Sequence, residues 1–496
     1  MSVAAAERAL AARRWTEALA AADVALAATP GDAAAHRGRA VALLQLRRLA
    51  EAEAALAAAL AADPSHAPAR ATLAALRLLQ GRVADAASEA ELAIAADPRQ
   101  GDARVVRAQV RLAAGDVAGA LADADAAVAS AAAVPSALAT ARAVRGRVLR
   151  RAERPEEALG ELRAAVAIEP AHGPWRALLA DALAEALDFA AAEPEWRAAI
   201  AAAPGTGRLH AQLAGTLAEL GRLDEAEREA RLALSLAPED TLAPVALAGI
   251  LLAQGRGGEE ALALLRGVRA RQPRAAKPVA LEAIALSALG RHDEAAALLA
   301  LDRLPAVVQP SLPAGFADRA AFHAELVAGI EADRTLAWEP AATTTRRGYQ
   351  TRNLLRHATP PFLALRGLIL GAVERWVAGR ADHPWFARFP RNVSVYAWAT
   401  VLEAGGAQLA HIHPSAIVSG VYYVRVPAAI GAGATAGWIE LGRPPAVFPV
   451  AGEPPTRSVQ PTEGAMLLFP SWLYHRTFPF ESAERRISIA FDVMAG

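Results

Sequence analysis

The stretch His411-Ile-His-Pro-Ser-Ala-Ile-Val-Ser-Gly-Val-Tyr-Tyr423 decides the fold of the last part of this chain. Side chains two residues apart on a strand point to the same side of a sheet, so His411 and His413 can present two imidazoles to one metal ion. A third imidazole, that of His475, follows a later apolar run at residues 465–469. The three histidines therefore predict a metal site on one face of a β-structure, with the opposite coordination positions left open.

The run Arg486-Ile-Ser488 lies after the third histidine and adds an anion-binding pair. Arg486 and Ser488 share a face of a strand, and a guanidinium beside a hydroxyl binds a carboxylate well. Arg485 is the alternative, because a shift of one residue in register exchanges the two faces. Tyr423 is predicted either to donate a hydrogen bond to the same carboxylate or to pack as an ordinary core residue.

These motifs, together with Gly464-Ala-Met-Leu-Leu-Phe-Pro-Ser-Trp-Leu-Tyr-His475, resemble a bacterial family of Fe(II)- and 2-oxoglutarate-dependent oxygenases. The resemblance covers roughly residues 305–496 and implies a double-stranded β-helix. It also implies a dioxygenase that uses Fe(II) as cofactor, 2-oxoglutarate as cosubstrate and molecular oxygen. In that scheme Arg486 and Ser488 hold the far carboxylate of 2-oxoglutarate, and no catalytic residue is needed beyond the metal centre.

One position departs from the resemblance. Most members of the superfamily place a carboxylate two residues after the first histidine, and here that position is His413. Three arrangements are open: a site of three histidines, a carboxylate supplied by Glu440 or Asp492, or a metal held by only two protein ligands.

The first three hundred residues show an internal repeat. Small residues recur at intervals of 34 residues, with one interval of 38 and one of 35, and prolines close most of the units. This period, with an alanine inside each second helix, resembles the tetratricopeptide repeat. No single unit can bury its apolar face alone, so the units are expected to stack into an α-solenoid of about nine helix pairs. The repeated alanines are Ala18, Ala52, Ala86, Ala120, Ala158, Ala192, Ala226, Ala261 and Ala295.

Solenoids of this kind commonly receive a protein or peptide in a concave groove. A partner of that type is therefore expected here. The polar residues considered for the groove also have a simpler interpretation, as ordinary solvated helix surface. They are Arg37, Arg70, Arg104, His210 and Gln212. The four extra residues in the interval of 38 predict a longer helix or loop next to Pro135.

After residue 300 the periodicity stops, and three prolines mark an extended connector. Beyond it, two helical patterns at 317–332 and 361–379 precede strands rich in Val, Tyr, Trp and Phe. The sequence thus predicts a repeat solenoid at 1–300, a connector at 301–316 and a jelly-roll, cupin-like double-stranded β-helix with flanking helices at 317–496. The connector is expected to limit contacts between the two halves. The predicted strands are 393–403, 407–413, 417–426, 437–441, 465–469 and 486–493.

Composition excludes several classes of protein. The formal net charge is +0, from 52 basic and 52 acidic residues, so there is no electrostatic case for binding nucleic acid or a membrane surface. The count of Cys is 0, which excludes disulfides and thiolate metal sites. A basic segment followed by a long apolar one is not found at the N-terminus, and a cytoplasmic location is expected.

Two functions from different classes fit these patterns. The first is an Fe(II)/2-oxoglutarate-dependent dioxygenase whose repeats bind a protein or peptide. The second is a protein–protein interaction scaffold whose barrel binds metal but is catalytically silent, and the missing carboxylate at position 413 favours it. A three-histidine dioxygenase without 2-oxoglutarate is disfavoured by Arg486 and Ser488.

Overall fold

The computed structural model describes residues 3–341, 343–431 and 435–495. The chain divides between Ala203 and Pro204 into two compact units. The first unit consists of antiparallel helix pairs. Its helices are α1 (Val3–Ala11), α2 (Trp15–Ala28), α3 (Ala33–Gln45), α4 (Leu49–Ala62), α5 (Ala67–Leu79), α6 (Val83–Ala96), α7 (Gly101–Ala113), α8 (Val117–Ser130), α9 (Pro135–Arg151), α10 (Pro155–Ile168), α11 (Gly173–Glu185) and α12 (Phe189–Ala202).

The second unit continues the helix pairs and then changes to strands. Its helices are α13 (Gly207–Glu219), α14 (Leu223–Leu236), α15 (Leu242–Ala253), α16 (Gly258–Arg271), α17 (Ala276–Ala288), α18 (His292–Leu299), α19 (Arg319–Glu331) and α20 (Pro360–Ala378). Its strands are β1 (Ala306–Val308), β2 (Ala337–Trp338), β3 (Thr345–Gln350), β4 (Val393–Gln408), β5 (Val418–Arg425), β6 (Ile439–Leu441), β7 (Arg457–Val459), β8 (Met466–Pro470), β9 (His475–Thr477) and β10 (Arg486–Ala495).

The repeat phasing read from the sequence is confirmed by burial. All of the repeated alanines have 0% of their surface exposed, because each lies where the two helices of a pair approach most closely. The turn inside each pair requires one residue with a positive φ angle. Glycine supplies it at no steric cost in five repeats, and four other repeats use a residue with a side chain. The glycines are Gly81, Gly115, Gly221, Gly255 and Gly290, and the other residues are Arg13, Arg47, Glu153 and Leu187.

The interval of 38 residues is explained by a longer helix. Helix α9 has 17 residues, whereas α7 and α11 each have 13. The extra turn is added at the start of α9, where Pro135 occupies the first turn of the helix. Proline is well tolerated there because the N–H it lacks would have no helical partner.

The strands of the second unit build a jelly roll, as the sequence predicted. In the described part of the chain they form a seven-stranded sheet in the order β1-β8-β5-β10-β4-β3-β2 and a three-stranded sheet in the order β7-β6-β9. Every pairing is antiparallel. Helices α19 and α20 cover the larger sheet with buried apolar side chains such as Phe322 and Ile369.

Five of the six predicted strands overlap strands of the barrel, although only β4, β5 and β10 are long. The predicted strands at 393–403, 417–426, 437–441, 465–469 and 486–493 overlap β4, β5, β6, β8 and β10. The one predicted at 407–413 is instead the end of β4 followed by an isolated bridge at His411. The other strands have two to six residues each, too short for an alternating pattern to be recognised.

The expectation that the connector limits contacts between the repeats and the barrel is wrong for the last repeat. Val279 of α17 and Leu299 of α18 lie in the same apolar core as the barrel strands and α19. The connector itself contains β1, which pairs with β8. The indole Nε1 of Trp376 donates a hydrogen bond of 3.0 Å to the carbonyl oxygen of Leu304. The last repeat and the barrel therefore share a core, and the domain boundary at residue 300 stays a prediction.

Candidate metal centre

The fold brings together the three histidines predicted from the sequence. His411 and His475 form an antiparallel bridge, with backbone N–O distances of 3.1 and 3.0 Å in the two directions. The backbone N–H of His413 donates to the carbonyl oxygen of Ser471, at 3.1 Å. One ring nitrogen of each histidine lies within 4.8 Å of those of the other two. The three side chains could therefore hold one metal ion.

Hydrogen bonds fix which nitrogen is free on two of these rings. The Nδ1 of His411 lies 2.7 Å from the carbonyl oxygen of Leu409, and the Nδ1 of His475 lies 3.0 Å from that of Leu473. A carbonyl oxygen only accepts, so Nδ1 carries the proton in both rings. In a neutral imidazole the lone pair is then on Nε2, the atom left for a metal.

The third ring is held by a carboxylate. The Nδ1 of His413 lies 2.7 Å from Oδ2 of Asp492, and the hydroxyl of Ser419 donates to Oδ1 of the same carboxylate at 2.7 Å. Asp492, considered from the sequence as a metal ligand, thus lies behind His413 with both oxygens engaged. Its contact leaves Nε2 of His413 as the free nitrogen here as well.

The other carboxylate considered from the sequence is used elsewhere. Glu440 is buried, and its Oε2 accepts hydrogen bonds from Arg476 at 2.6 Å and from Arg443 at 3.0 Å. It does not belong to the group of residues that could hold a metal among those described. Of the arrangements left open by the sequence, the geometry supports the one with three histidines.

The electrostatics of the site favour neutral imidazoles. Burial, followed by the neighbouring His413, lowers the pKa of His411 to about 3. Burial, followed by His411 and His413, lowers the pKa of His475 well below its ordinary value. Both rings are therefore unprotonated near neutral pH, the form in which imidazole binds a metal.

A small cavity of about 20 Å³ lies against the histidines, and Arg486 lines it. Arg486 is 2% exposed, and its Nη1 donates to the carbonyl oxygen of Gly437 at 2.9 Å. Within the described structure its Nε has no partner, and neither does the hydroxyl of the buried Tyr423. Burial lowers the pKa of Arg486, because no carboxylate of the described residues offsets the cost of burying its charge. The arrangement is suited to a carboxylate-bearing ligand.

The register of β10 decides between the two neighbouring arginines. Arg485 points away from the cavity and lies 3.4 Å from Glu403, with half of its side chain exposed. Ser488 is directly opposite Tyr423 on β5 and opposite Thr400 on β4. Arg486, Ser488 and Tyr423 therefore belong to the inner face and Arg485 to the outer one, and the role of Arg486 as the carboxylate anchor stays a prediction.

Two further residues of β4 line the same region. Trp398 stacks on the ring of His413, with centroids 5.4 Å apart and planes 23° apart. Thr400 is buried, and its hydroxyl has no partner among the described residues. Sequence reasoning assigns Trp398 mainly to structure and misses Thr400, although the alternation of β4 puts both on one face. Asn392, assigned together with Trp398, is exposed and does not line the cavity.

The polar residues considered for the repeat groove are mostly bound within the repeats. Arg37 donates to the hydroxyl of Thr72 at 3.4 Å, and Gln212 also has a partner. His210 is buried, with Nε2 3.0 Å from the carbonyl oxygen of Pro204. A first-helix residue repeatedly contacts a carboxylate of the second helix, in the pairs Arg70–Glu89, Arg104–Asp123, Arg142–Glu161, Arg176–Glu195 and His210–Glu229. These contacts stabilise helix pairs, and the interpretation as solvated helix surface does not hold for His210, which is buried.

Comparison with known families agrees with this geometry. Residues 396–492, which include all three histidines and Arg486, match the family described as "Putative 2OG-Fe(II) oxygenase". Residues 3–67 and 177–241 match a tetratricopeptide repeat family. The chain thus contains tetratricopeptide repeats in its N-terminal part and a segment at its C-terminal part that matches the 2OG-Fe(II) oxygenase family. Comparison with curated proteins gives no match.

Three solved structures are similar to part of the chain. The APC/C hetero-tetramer Cut9-Hcn1 is 16% identical, with a TM-score of 0.47, and the match covers 55% of this chain and 52% of that one. The protein pilF of Pseudomonas aeruginosa is 18% identical, with a TM-score of 0.37 and coverages of 42% and 94%. A thermophilic TPR protein of Thermus thermophilus is 26% identical, with a TM-score of 0.31 and coverages of 37% and 97%. Among the described residues, no helix is both long and apolar enough to cross a membrane.

Proposed function

We propose that the barrel is an Fe(II)- and 2-oxoglutarate-dependent dioxygenase that hydroxylates a protein or peptide bound by the repeats. One observation carries the proposal. Three imidazoles with free Nε2 atoms border the same cavity as a buried guanidinium that no carboxylate in the described part of the chain neutralises. A metal site beside an anchor for a carboxylate is what a 2-oxoacid cosubstrate requires.

The donor set fits Fe(II). His411, His413 and His475 are neutral nitrogen donors on one side of the cavity, a ligand type and an open geometry suited to non-haem iron. Each ring is oriented by a hydrogen bond at Nδ1, which is the usual support for a metal-binding histidine.

The anchor fits the distal carboxylate of 2-oxoglutarate. The Nε–H of Arg486 and the hydroxyl of Tyr423 have no partner among the described residues, and Ser488 lies opposite Tyr423 on the adjacent strand. The guanidinium carbon of Arg486 lies 5.5 Å from the centroid of the Tyr423 ring, so both can contact one small anion. A charge-assisted contact of this kind would satisfy donors that are otherwise buried without partners.

When bound, Fe(II) and 2-oxoglutarate supply oxygen activation and the oxidation of a C–H bond, with succinate and carbon dioxide as coproducts. The chain orients the reactants and excludes water. Phe469 packs against the His475 ring at 4.8 Å, and Trp398 covers the ring of His413. Val421 and Ala490 complete an apolar wall of the cavity.

The repeats are proposed to bind the protein or peptide substrate, since tetratricopeptide arrays commonly bind peptides in their groove. Binding remote from the reacting bond raises turnover when it holds the substrate in a reactive position. The sharing of a core between the last repeat and the barrel supports this division of labour, because it fixes the repeat to the catalytic domain.

Anaerobic titration of the metal-free protein with Fe(II), followed by 2-oxoglutarate, tests the proposal. A visible metal-to-ligand charge-transfer band should appear only when both are present. His475→Ala should abolish metal binding, whereas His357→Ala, which removes a histidine paired with Asp333 outside the cavity, should not. Absence of the band in the folded wild-type protein would refute the proposal.

The matched pair Arg486→Ala and Arg485→Ala separates the anchor from the metal. Removing the partner of a buried carboxylate costs roughly 2–5 kcal/mol, so Arg486→Ala should weaken 2-oxoglutarate binding about 30-fold or more and leave Fe(II) affinity near that of the wild type. Arg485 is exposed on the other face, and its variant should bind both normally. Equal cosubstrate affinity in the two variants would exclude the anchor.

The scaffold with a catalytically silent barrel remains the second candidate. The observation that favours it is the absence of a carboxylate from the set of described residues that could hold a metal. A protein of that kind would bind Fe(II) but would show neither the charge-transfer band nor decarboxylation of 2-oxoglutarate.

A further inference from the structure

We infer that Asp492, supported by Ser419, is the positioning residue of the metal centre: it orients the ring of His413 with Nε2 toward the metal and places next to the centre the negative charge that a ligand carboxylate would otherwise bring. This inference rests on the metal site proposed above. It assigns a role to two residues. From the sequence, Asp492 was considered only as a direct metal ligand, and Ser419 had no assigned function.

The contacts form a short chain that ends at the metal face. Ser419 donates to Oδ1 of Asp492 at 2.7 Å, and Oδ2 of Asp492 lies 2.7 Å from Nδ1 of His413. The side chains of His413 and Asp492 are 14% and 15% exposed, so water competes only weakly for these contacts. Ser419 and Asp492 are direct cross-strand partners on β5 and β10, which fixes their spacing.

Other contacts leave the His413 ring little freedom. Its face stacks on Trp398, and it is also close to parallel with the ring of His475, at 5.1 Å and 16°. Its backbone is tied to Ser471. The hydrogen bond to Asp492 selects which ring nitrogen carries the proton. Without it, the proton could move to Nε2, and the ring would no longer be a ligand.

The three histidines differ in the group that holds them. His411 and His475 are held by neutral backbone carbonyl groups, but His413 is held by a carboxylate. Carboxylate partners raise the basicity of a metal-bound imidazole more than a neutral acceptor does, because they carry a full charge. His413 occupies the position where a carboxylate was expected. The negative charge is instead supplied by Asp492, which contacts His413 on the side away from the metal face.

Asp492 is not a direct ligand in this arrangement. Both of its oxygens are occupied, one by His413 and one by Ser419. It is also absent from the group of described residues whose ligand atoms lie within 4.8 Å of one another. The carboxylate therefore acts on the metal through the imidazole of His413.

The test uses metal affinity rather than turnover. Zn(II) and Co(II) affinities of the full chain are measured by competition with a chelator, and the visible spectrum of the Co(II) form is recorded. Asp492→Asn keeps the shape of the side chain but removes its charge, and it should weaken both metals about 10- to 100-fold. Ser419→Ala removes one hydroxyl and should cost about threefold to tenfold, and this variant serves if Asp492→Asn does not fold.

Glu440→Gln is the matched control, because Glu440 is a second buried barrel carboxylate that is paired with arginines outside the cavity. It should reduce stability without changing metal affinity or the Co(II) spectrum. Loss of affinity in this control equal to that in Asp492→Asn would show a general effect of barrel stability and would overturn the inference.

A second background tests whether Asp492 acts through His413. In His413→Ala the hydrogen bond between these two residues is absent. Asp492→Asn should therefore change metal affinity much less in that background than it does in the wild type. A decrease of equal size in both backgrounds would mean that Asp492 is only structural. Failure of the wild type to bind either metal would instead overturn the proposed function, whereas normal binding by both Asp492→Asn and Ser419→Ala would overturn only the role of Asp492.

Discussion

Truncation of the repeats before the barrel should unfold the barrel. A fragment of residues 314–496 keeps every proposed site residue but loses α17, α18 and β1. A fragment of residues 204–496 keeps them and corresponds to a compact unit of the chain. We expect the longer fragment to fold and the shorter one to be unfolded or aggregated.

The magnitude follows from the side chains that the shorter fragment loses. Val279, Leu299, Leu301 and Leu304 belong to the barrel core and are 3%, 4%, 8% and 3% exposed. Burying one such side chain stabilises a protein by about 1.5–3 kcal/mol, so the four together contribute about 6–12 kcal/mol. That is comparable with the whole stability of a typical domain, about 5–15 kcal/mol. The cut also leaves the buried Nε1 of Trp376 without its acceptor.

Urea unfolding of both fragments, followed by tryptophan fluorescence and circular dichroism, measures the difference. The longer fragment should unfold in a cooperative transition, and the shorter one should show none. A soluble fragment of residues 314–496 with the same unfolding midpoint as the longer fragment would refute the reasoning. It would mean that the apolar contacts of α17 and α18 contribute little to the barrel.

Three further predictions concern stability. Leu187→Gly should stabilise the full chain by about 1 kcal/mol, because Leu187 is exposed and has a φ of 58°, a region that costs residues with a side chain about 1–2 kcal/mol. Leu187→Ala keeps the strain, so it should not raise the urea midpoint of unfolding. A rise equal to that of the glycine variant would contradict the strain argument. Gly146 and Gly160 lie in one helix pair, and alanine should have opposite effects at the two positions. Gly146→Ala should destabilise the pair, because its Cβ would lie 2.8 Å from a leucine of α10, whereas Gly160→Ala has nothing within 4 Å and should stabilise it by about 0.5–1 kcal/mol. Shifts of the melting temperature in the same direction for both variants would disprove this packing. The metal-free protein should lose stability below about pH 6.5, because the unfolded state then binds protons that His411 and His475 do not bind when folded. Each histidine should lower the free energy of unfolding by about 1.4 kcal/mol per pH unit until the pH reaches its lowered pKa, which is about 3 for His411. Urea midpoints that stay constant between pH 7 and 5 would count against this prediction.

The sequence by itself determined the features that depend on local spacing. The alanine period fixed the helix pairs, because a tetratricopeptide unit makes most of its contacts with itself and its neighbours. Strand alternation put His411 with His413 and Arg486 with Ser488, because successive side chains of a strand point to opposite faces. The later apolar strand and its turn indicated His475.

Only the tertiary structure decided the features that depend on distant pairing. Asp492 and His413 are 79 residues apart in the chain, and no local pattern shows that the carboxylate supports a histidine instead of binding metal. The choice of Arg486 over Arg485 came from the register between β10 and its neighbours, which a shift of one residue would reverse. The sequence also does not reveal that Val279 and the barrel share a core. A proline-rich connector indicates where a regular helix ends, but it does not indicate which apolar faces pack together after it.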